Sequence, residues 1–101
     1  GLFGTGGVYA LLPQKVGLAK AKGALLLGQP FSAEDAERWG LIWAVADDEA
    51  ALRAQALAIC THLATTDPRS LGTIKKLLHA EALGDFQAVL ARESQAHQKL
   101  E

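Results

Sequence analysis

The chain has a single cysteine and almost no net charge, and each scarcity closes off a class of function. Cys60 on its own cannot form an internal disulfide, so a disulfide-stapled scaffold is excluded and a reducing compartment, the cytoplasm, is expected. Ten Lys and Arg stand against eleven Asp and Glu, a formal charge of −1, with no run of like charges. That balance offers neither nucleic acid nor an anionic membrane an electrostatic reason to bind. No stretch approaches the ~18 apolar residues of a membrane span, and no basic segment with a cleavage site opens the chain. Internal repeats and low-complexity tracts are missing too. Neither G-x-G-x-x-G nor G-x-x-x-x-G-K-[ST] is completed, so no phosphate-binding fingerprint is present. Glu93 and His97, at i and i+4 on one helical face, make two metal ligands at most, short of the three or four a zinc site needs. They fit a structural hydrogen bond or a subunit contact better. His62 and His79 stand singly beside apolar stripes, and no triad order can be defended.

What is present is helical periodicity. Half of the 101 residues are apolar, enough for one small domain with little surplus core. Gly4, Gly6 and Gly7 make the N-terminal stretch glycine-dense, then Val8, Leu11 and Leu12 recur at helical spacing until Pro13, which is expected to stop the segment. A Thr or Gly cap followed by free backbone N–H groups is a possible anion site, but close packing of a turn against neighbouring backbone is the stronger reading of these glycines. Residues 16–27 read as a second helix with Leu18, Ala21, Leu25 and Leu26 on its apolar side, Lys20 and Lys22 in solvent, and Gly28 as its stop. A stripe of Leu52, Ala56, Ile59 and Leu63 marks a helix from 48 to about 65, with Cys60 expected as a small buried hydrophobe. Asp67-Pro68 opens the next helix in the favoured order, cap then proline, with Leu71, Ile74, Leu77 and Leu78 as its face. Gly84 ends it, and Asp85 introduces a last helix whose stripe is Phe86, Val89, Leu90, Glu93, His97 and Leu100.

Residues 31–48 carry the densest signal. Ser32 is a helix cap, Asp35 sits where the return partner of a capping box belongs, and Gly40 supplies the positive-φ stop. Leu41-Ile42-Trp43-Ala44-Val45 then reads as a short buried strand. The run Ser-Ala-Glu-Asp-Ala-Glu-Arg-Trp-Gly-Leu-Ile-Trp-Ala-Val resembles the S-A-x-x-A-x-x-x-G-L-[VI]-x-x-V signature of the crotonase (enoyl-CoA hydratase/isomerase) superfamily. Upstream, Gly6-Gly7, Leu11 to Gly17 and Ala19-Lys20-Ala21 are similar to that family's G-G-x-x-x-L-P-R-x-V-G-x-x-x-A. Both matches fall in order and in spacing, through nearly the whole chain, which is less than half of such an enzyme.

The resemblance implies a fold and a chemistry. The fold is mainly α: the C-terminal helical, trimerisation part of a crotonase-like α/β spiral, with at most one or two short strands. Residues 1–30 would be the end of the core, residues 31–101 a helical association domain, and the whole a fragment of a longer protein. The substrate class would be acyl-CoA thioesters with no resident cofactor and no metal, and the assembly a trimer or hexamer. Two backbone N–H groups stabilise the enolate in this family; both, like the two hydratase glutamates, lie on elements upstream of this sequence. One family acid/base position falls at Thr5, with Gly4 where a proline usually stands and Gly6 and Gly7 as the substrate-side glycines. Isomerases carry an acid there and many hydratases a glycine. A threonine hydroxyl orients a water or substrate rather than acting as a general base. Trp-Gly-Leu-Ile-Trp most resembles the phenylacetate-pathway isomerase-like members. The chain also stops before the family's E-G-x-x-A-F segment, so it is expected to be inactive alone and to expose apolar surface. The alternative is a non-catalytic helical oligomerisation module.

Overall fold

The computed structural model describes Gly4 and residues 6–100. Six helices are present among them: α1 (Val8–Val16), α2 (Leu18–Leu27), α3 (Ala33–Arg38), α4 (Glu49–Ala64), α5 (Pro68–Ala82) and α6 (Phe86–Leu100). They fall into two units. One comprises Gly1–Trp43 with Leu83–Glu101 and holds α1, α2, α3 and α6; the other, Ala44–Ala82, holds α4 and α5. In the first unit α1 is central and packs against both α2 and α6.

Local chemistry explains where most helices begin and end. Ser32 is extended and its Oγ accepts the Asp35 N–H at 3.0 Å, the N-cap geometry expected of it. The Asp35 carboxylate goes to the Arg38 guanidinium one turn on. At the other end Gly40 adopts φ 84°; its N–H donates to the Glu37 carbonyl at 3.0 Å and that of Leu41 to the Ala36 carbonyl at 2.9 Å. This pair of bonds is a Schellman motif, which satisfies carbonyls the helix would otherwise leave open. Asp48 caps α4 by accepting the Ala51 N–H at 2.7 Å, and Asp67 caps α5 by accepting the Arg69 N–H at 3.1 Å, with Pro68 at the first helical position.

Several expectations need correction. Pro13 does not stop α1, which runs through it to Val16. The missing donor costs one bond to the Tyr9 carbonyl, a loss that packing of α1 against two neighbours offsets. The break comes instead at Gly17, whose φ 83°, ψ 164° is reserved for glycine; its N–H closes α1 on the Pro13 carbonyl and its own carbonyl receives the Ala21 N–H of α2. The second helix therefore starts at Leu18, not at 16.

The strand expected over 41–45 does not form, and no strand exists among the described residues. The Leu41 N–H is already spent on the end of α3, and a ladder needs a partner strand that these residues do not supply. Trp43 is 86 % exposed. Cys60, expected to be buried, is exposed. So are much of the apolar faces assigned to the helices: Leu18 and Leu26 on α2, Leu52, Ile59 and Leu63 on α4, and Ile74, Leu77 and Leu78 on α5. Ala21 and Ala36 are the buried apolar residues among those described, both in the first unit. Periodicity identified these stripes correctly as the apolar sides of helices; it carries no information on whether a covering layer is present.

Trp39 ties α3 to α2. Its ring sits 5.0 Å from that of Phe31, tilted by 47°, and the Lys20 ammonium lies over it at 4.9 Å, so Lys20 is exposed but not simply solvated.

Candidate functional site

The described part of the glycine stretch forms the approach to α1. Gly6 and Gly7 both take positive φ, 75° and 89°, and Gly7 is the N-cap of α1, with no side-chain oxygen to satisfy the helix start. The carbonyl of Gly7 accepts the N–H groups of Ala10 and Leu11 at 3.1 and 3.0 Å. Gly7 is buried, and a Cβ built there would lie 2.9 Å from the Phe86 ring of α6, so the aromatic edge occupies the space a side chain would need. The position thus demands glycine twice over, once for backbone conformation and once for room.

From α6, Glu93 reaches the same turn. Its two carboxylate oxygens accept the Gly7 N–H at 3.2 and 3.0 Å, across 86 residues of sequence. Glu93 is only 6 % exposed. A buried carboxylate is tolerated where donors and positive potential meet it, and here it faces the N-terminal, electropositive end of α1. The Gly7 N–H at this helix start is therefore taken by a carboxylate of the chain itself. On the other side of residue 5, the Gly4 N–H donates to the Tyr9 hydroxyl at 3.0 Å. A pocket of about 290 Å³ opens beside the turn, lined by Tyr9, Val89, Arg92, Glu93 and Ala96.

Of the positions singled out in the sequence, Gly4, Gly6 and Gly7 converge here, with Gly4 half-buried and Gly6 exposed. Thr5 lies outside the described residues. Tyr9, Phe86 and Glu93 were not read as parts of this site. The one available signal was Glu93 itself, a carboxylate interrupting an otherwise apolar stripe. No group of three or more His, Cys, Asp or Glu placed to hold a metal ion occurs among the described residues, and no helix among them is long and apolar enough to cross a membrane.

Six helices and no strand among the described residues agree with a mainly α, C-terminal helical part of a crotonase fold. The chain belongs to the enoyl-CoA hydratase/isomerase family, whose sequence pattern matches residues 1–101. Among curated proteins it is 42 % identical over 92 residues to a 1,2-epoxyphenylacetyl-CoA isomerase of Escherichia coli (strain K12), covering 89 % of this chain and 34 % of that protein. It is 35 % identical over 103 residues to a probable enoyl-CoA hydratase of Rhodobacter capsulatus, covering 99 % of this chain and 38 % of the relative. It is also 31 % identical over 83 residues to a probable enoyl-CoA hydratase of Bacillus subtilis (strain 168), covering 82 % and 32 %. The chain thus spans about a third of the length of these relatives. No solved structure gives a significant match.

Proposed function

We propose that this chain is the C-terminal helical region of an enzyme that hydrates or isomerises acyl-CoA thioesters, and that it supplies scaffold and one edge of the active site rather than the reactive groups. The observation that carries the reading is the family match over all 101 residues, in relatives named for enoyl-CoA or epoxyphenylacetyl-CoA chemistry. The reaction proceeds through an enolate at the thioester carbonyl, held by two backbone donors on elements upstream of this sequence. Gly4, Gly6 and Gly7 form the substrate-side turn. Thr5, at the family's acid/base position, orients water or substrate through its hydroxyl. Acyl-CoA is substrate, and no resident cofactor is assigned.

The chain alone is proposed to be inactive, because the donors that would stabilise the enolate are not part of it. Its exposed leucines and isoleucines support association with a further protein layer, including other copies, as a trimer or hexamer in the assembled enzyme. Hydration of a short enoyl-CoA by the purified 101-residue chain, compared with the full-length protein that carries it, tests both halves. Turnover by the full-length protein and none by the chain is expected. Turnover by the chain alone overturns the scaffold assignment, and a full-length protein that neither hydrates nor isomerises any acyl-CoA overturns the acyl-CoA reading.

A further inference from the structure

We infer that Glu93 is a positioning residue: its carboxylate fixes the glycine turn at the start of α1 and thereby sets the backbone on either side of residue 5. The inference rests on the acyl-CoA reading above for its catalytic consequence, but its physical content stands on four observations. Glu93 is buried, and both its oxygens meet a single N–H, that of Gly7. Gly6 and Gly7 both hold left-handed conformations that an untethered glycine leaves easily, since glycine populates both signs of φ. The Phe86 ring, two turns before Glu93 on the same face of α6, closes the space over Gly7. Gly4, three residues before Gly7, is tied independently by its N–H to the Tyr9 hydroxyl of α1.

Residue 5 is therefore bracketed in sequence by two anchored amides, one held from α1 itself and one from α6. The second anchor matters more. A bond within residues 4–9 fixes a local loop, whereas the bond from Glu93 registers that loop against a helix that begins 79 residues later. A carboxylate is also the acceptor that suits this place: the turn ends on the electropositive start of α1, and a charge-assisted bond there is stronger than one to a neutral acceptor. With the Gly7 N–H committed to Glu93, that amide is structural and is not the donor offered to a ligand.

The test uses the full-length protein with Glu93→Ala, Glu93→Gln and Tyr9→Phe, with Ala21→Gly, which loosens α2 outside the turn, as the control for general destabilisation. Two readouts are taken on each: amide hydrogen exchange at Gly4 and Gly7, and kcat and KM for an enoyl-CoA. In Glu93→Ala, exchange at Gly7 is expected to speed up by about tenfold or more while amides of α2 keep their protection. Its kcat is expected to fall by about tenfold to a hundredfold with KM little changed, the pattern of misplaced groups rather than lost binding. Glu93→Gln, which keeps one carbonyl acceptor, restores part of both, and Tyr9→Phe moves exchange at Gly4 but not at Gly7. Unchanged exchange at Gly7 in Glu93→Ala overturns the tether. Lost protection with unchanged kcat, or an equal loss of kcat in Ala21→Gly, overturns the positioning role. A wild-type protein without turnover overturns the acyl-CoA reading and with it the catalytic consequence, and the exchange at Gly7 then decides the tether by itself.

Discussion

At Gly7 two demands coincide that can be separated experimentally. The backbone is left-handed, with φ 89°, and the Phe86 ring stands where a Cβ would go. Gly6 shares the first demand, with φ 75°, but has nothing within 4 Å of a built Cβ. Gly6→Ala is therefore expected to cost about 1–2 kcal/mol, the strain of a left-handed L-residue alone. Gly7→Ala adds displacement of an aromatic ring against close-packed neighbours, about 1–3 kcal/mol more. Denaturant unfolding of the two variants side by side checks the order, and an equal loss at both positions would remove the steric half of the argument. The glycines were plain in the sequence, but their partners were not. Nothing local to residues 4–13 announces a ring and a carboxylate 79 and 86 positions away. Glu93 betrayed itself only as a charge inside an apolar stripe, which is why a structural hydrogen bond was expected for it and its acceptor role at Gly7 was not. The expected burial of Cys60 failed for a related reason: apolar periodicity describes a helix face, not what lies against it.

At the scale of the element, end signals proved the most legible part of the fold. Ser32, Asp48 and Asp67 each cap the helix that follows, and Gly40 takes the C′ position of α3. These are short-range chemical requirements, satisfied within three residues, so a sequence displays them in full. The misses were elements whose fate depends on partners. Leu41 to Val45 has strand composition but no strand to pair with, and Pro13 sits inside α1 because tertiary packing outweighs a single lost bond. The caps permit a graded prediction. Ser32→Ala should destabilise by about 1 kcal/mol, as N-cap replacements typically do. Its consequence should be concentrated in α3, since six residues are too few for a helix to persist on propensity alone. Asp48→Ala removes a comparable bond from the 16-residue α4, and should fray its first turn and leave the rest intact. Amide exchange resolved along both helices distinguishes whole-helix loss from end fraying. By contrast, Arg53→Ala breaks the pair with Glu49 at 2.7 Å, yet both side chains are at least three-quarters exposed. No measurable change in unfolding midpoint is expected there, because solvent and salt screen such a pair.

At the scale of the whole molecule, the distribution of apolar residues is the fact that calls for a physical account. No large side chain among those described is fully enclosed, while Leu57 on α4 and Leu77 and Leu78 on α5 stand more than three-fifths exposed. Each large aliphatic side chain left in water forgoes about 1.5–3 kcal/mol of burial. A sequence that is half apolar and holds so little of it inside leaves apolar surface of the kind the proposed association with a further layer would cover, and the chain covers about a third of its curated relatives. Alone, the chain should therefore self-associate, and its mass in solution by light scattering should exceed that of one copy and rise with concentration. Ile74, Leu77 and Leu78 lie at i, i+3 and i+4 on a single exposed face of α5, so they are the place to intervene. Leu77→Lys with Leu78→Glu is expected to lower the associated mass without reducing helix content by circular dichroism, because neither residue is buried within its own unit. If the variant unfolds instead, these leucines belong to an internal core. If it remains as associated as the parent sequence, contacts elsewhere, such as those around Leu26 and Leu27 of α2, hold the copies together.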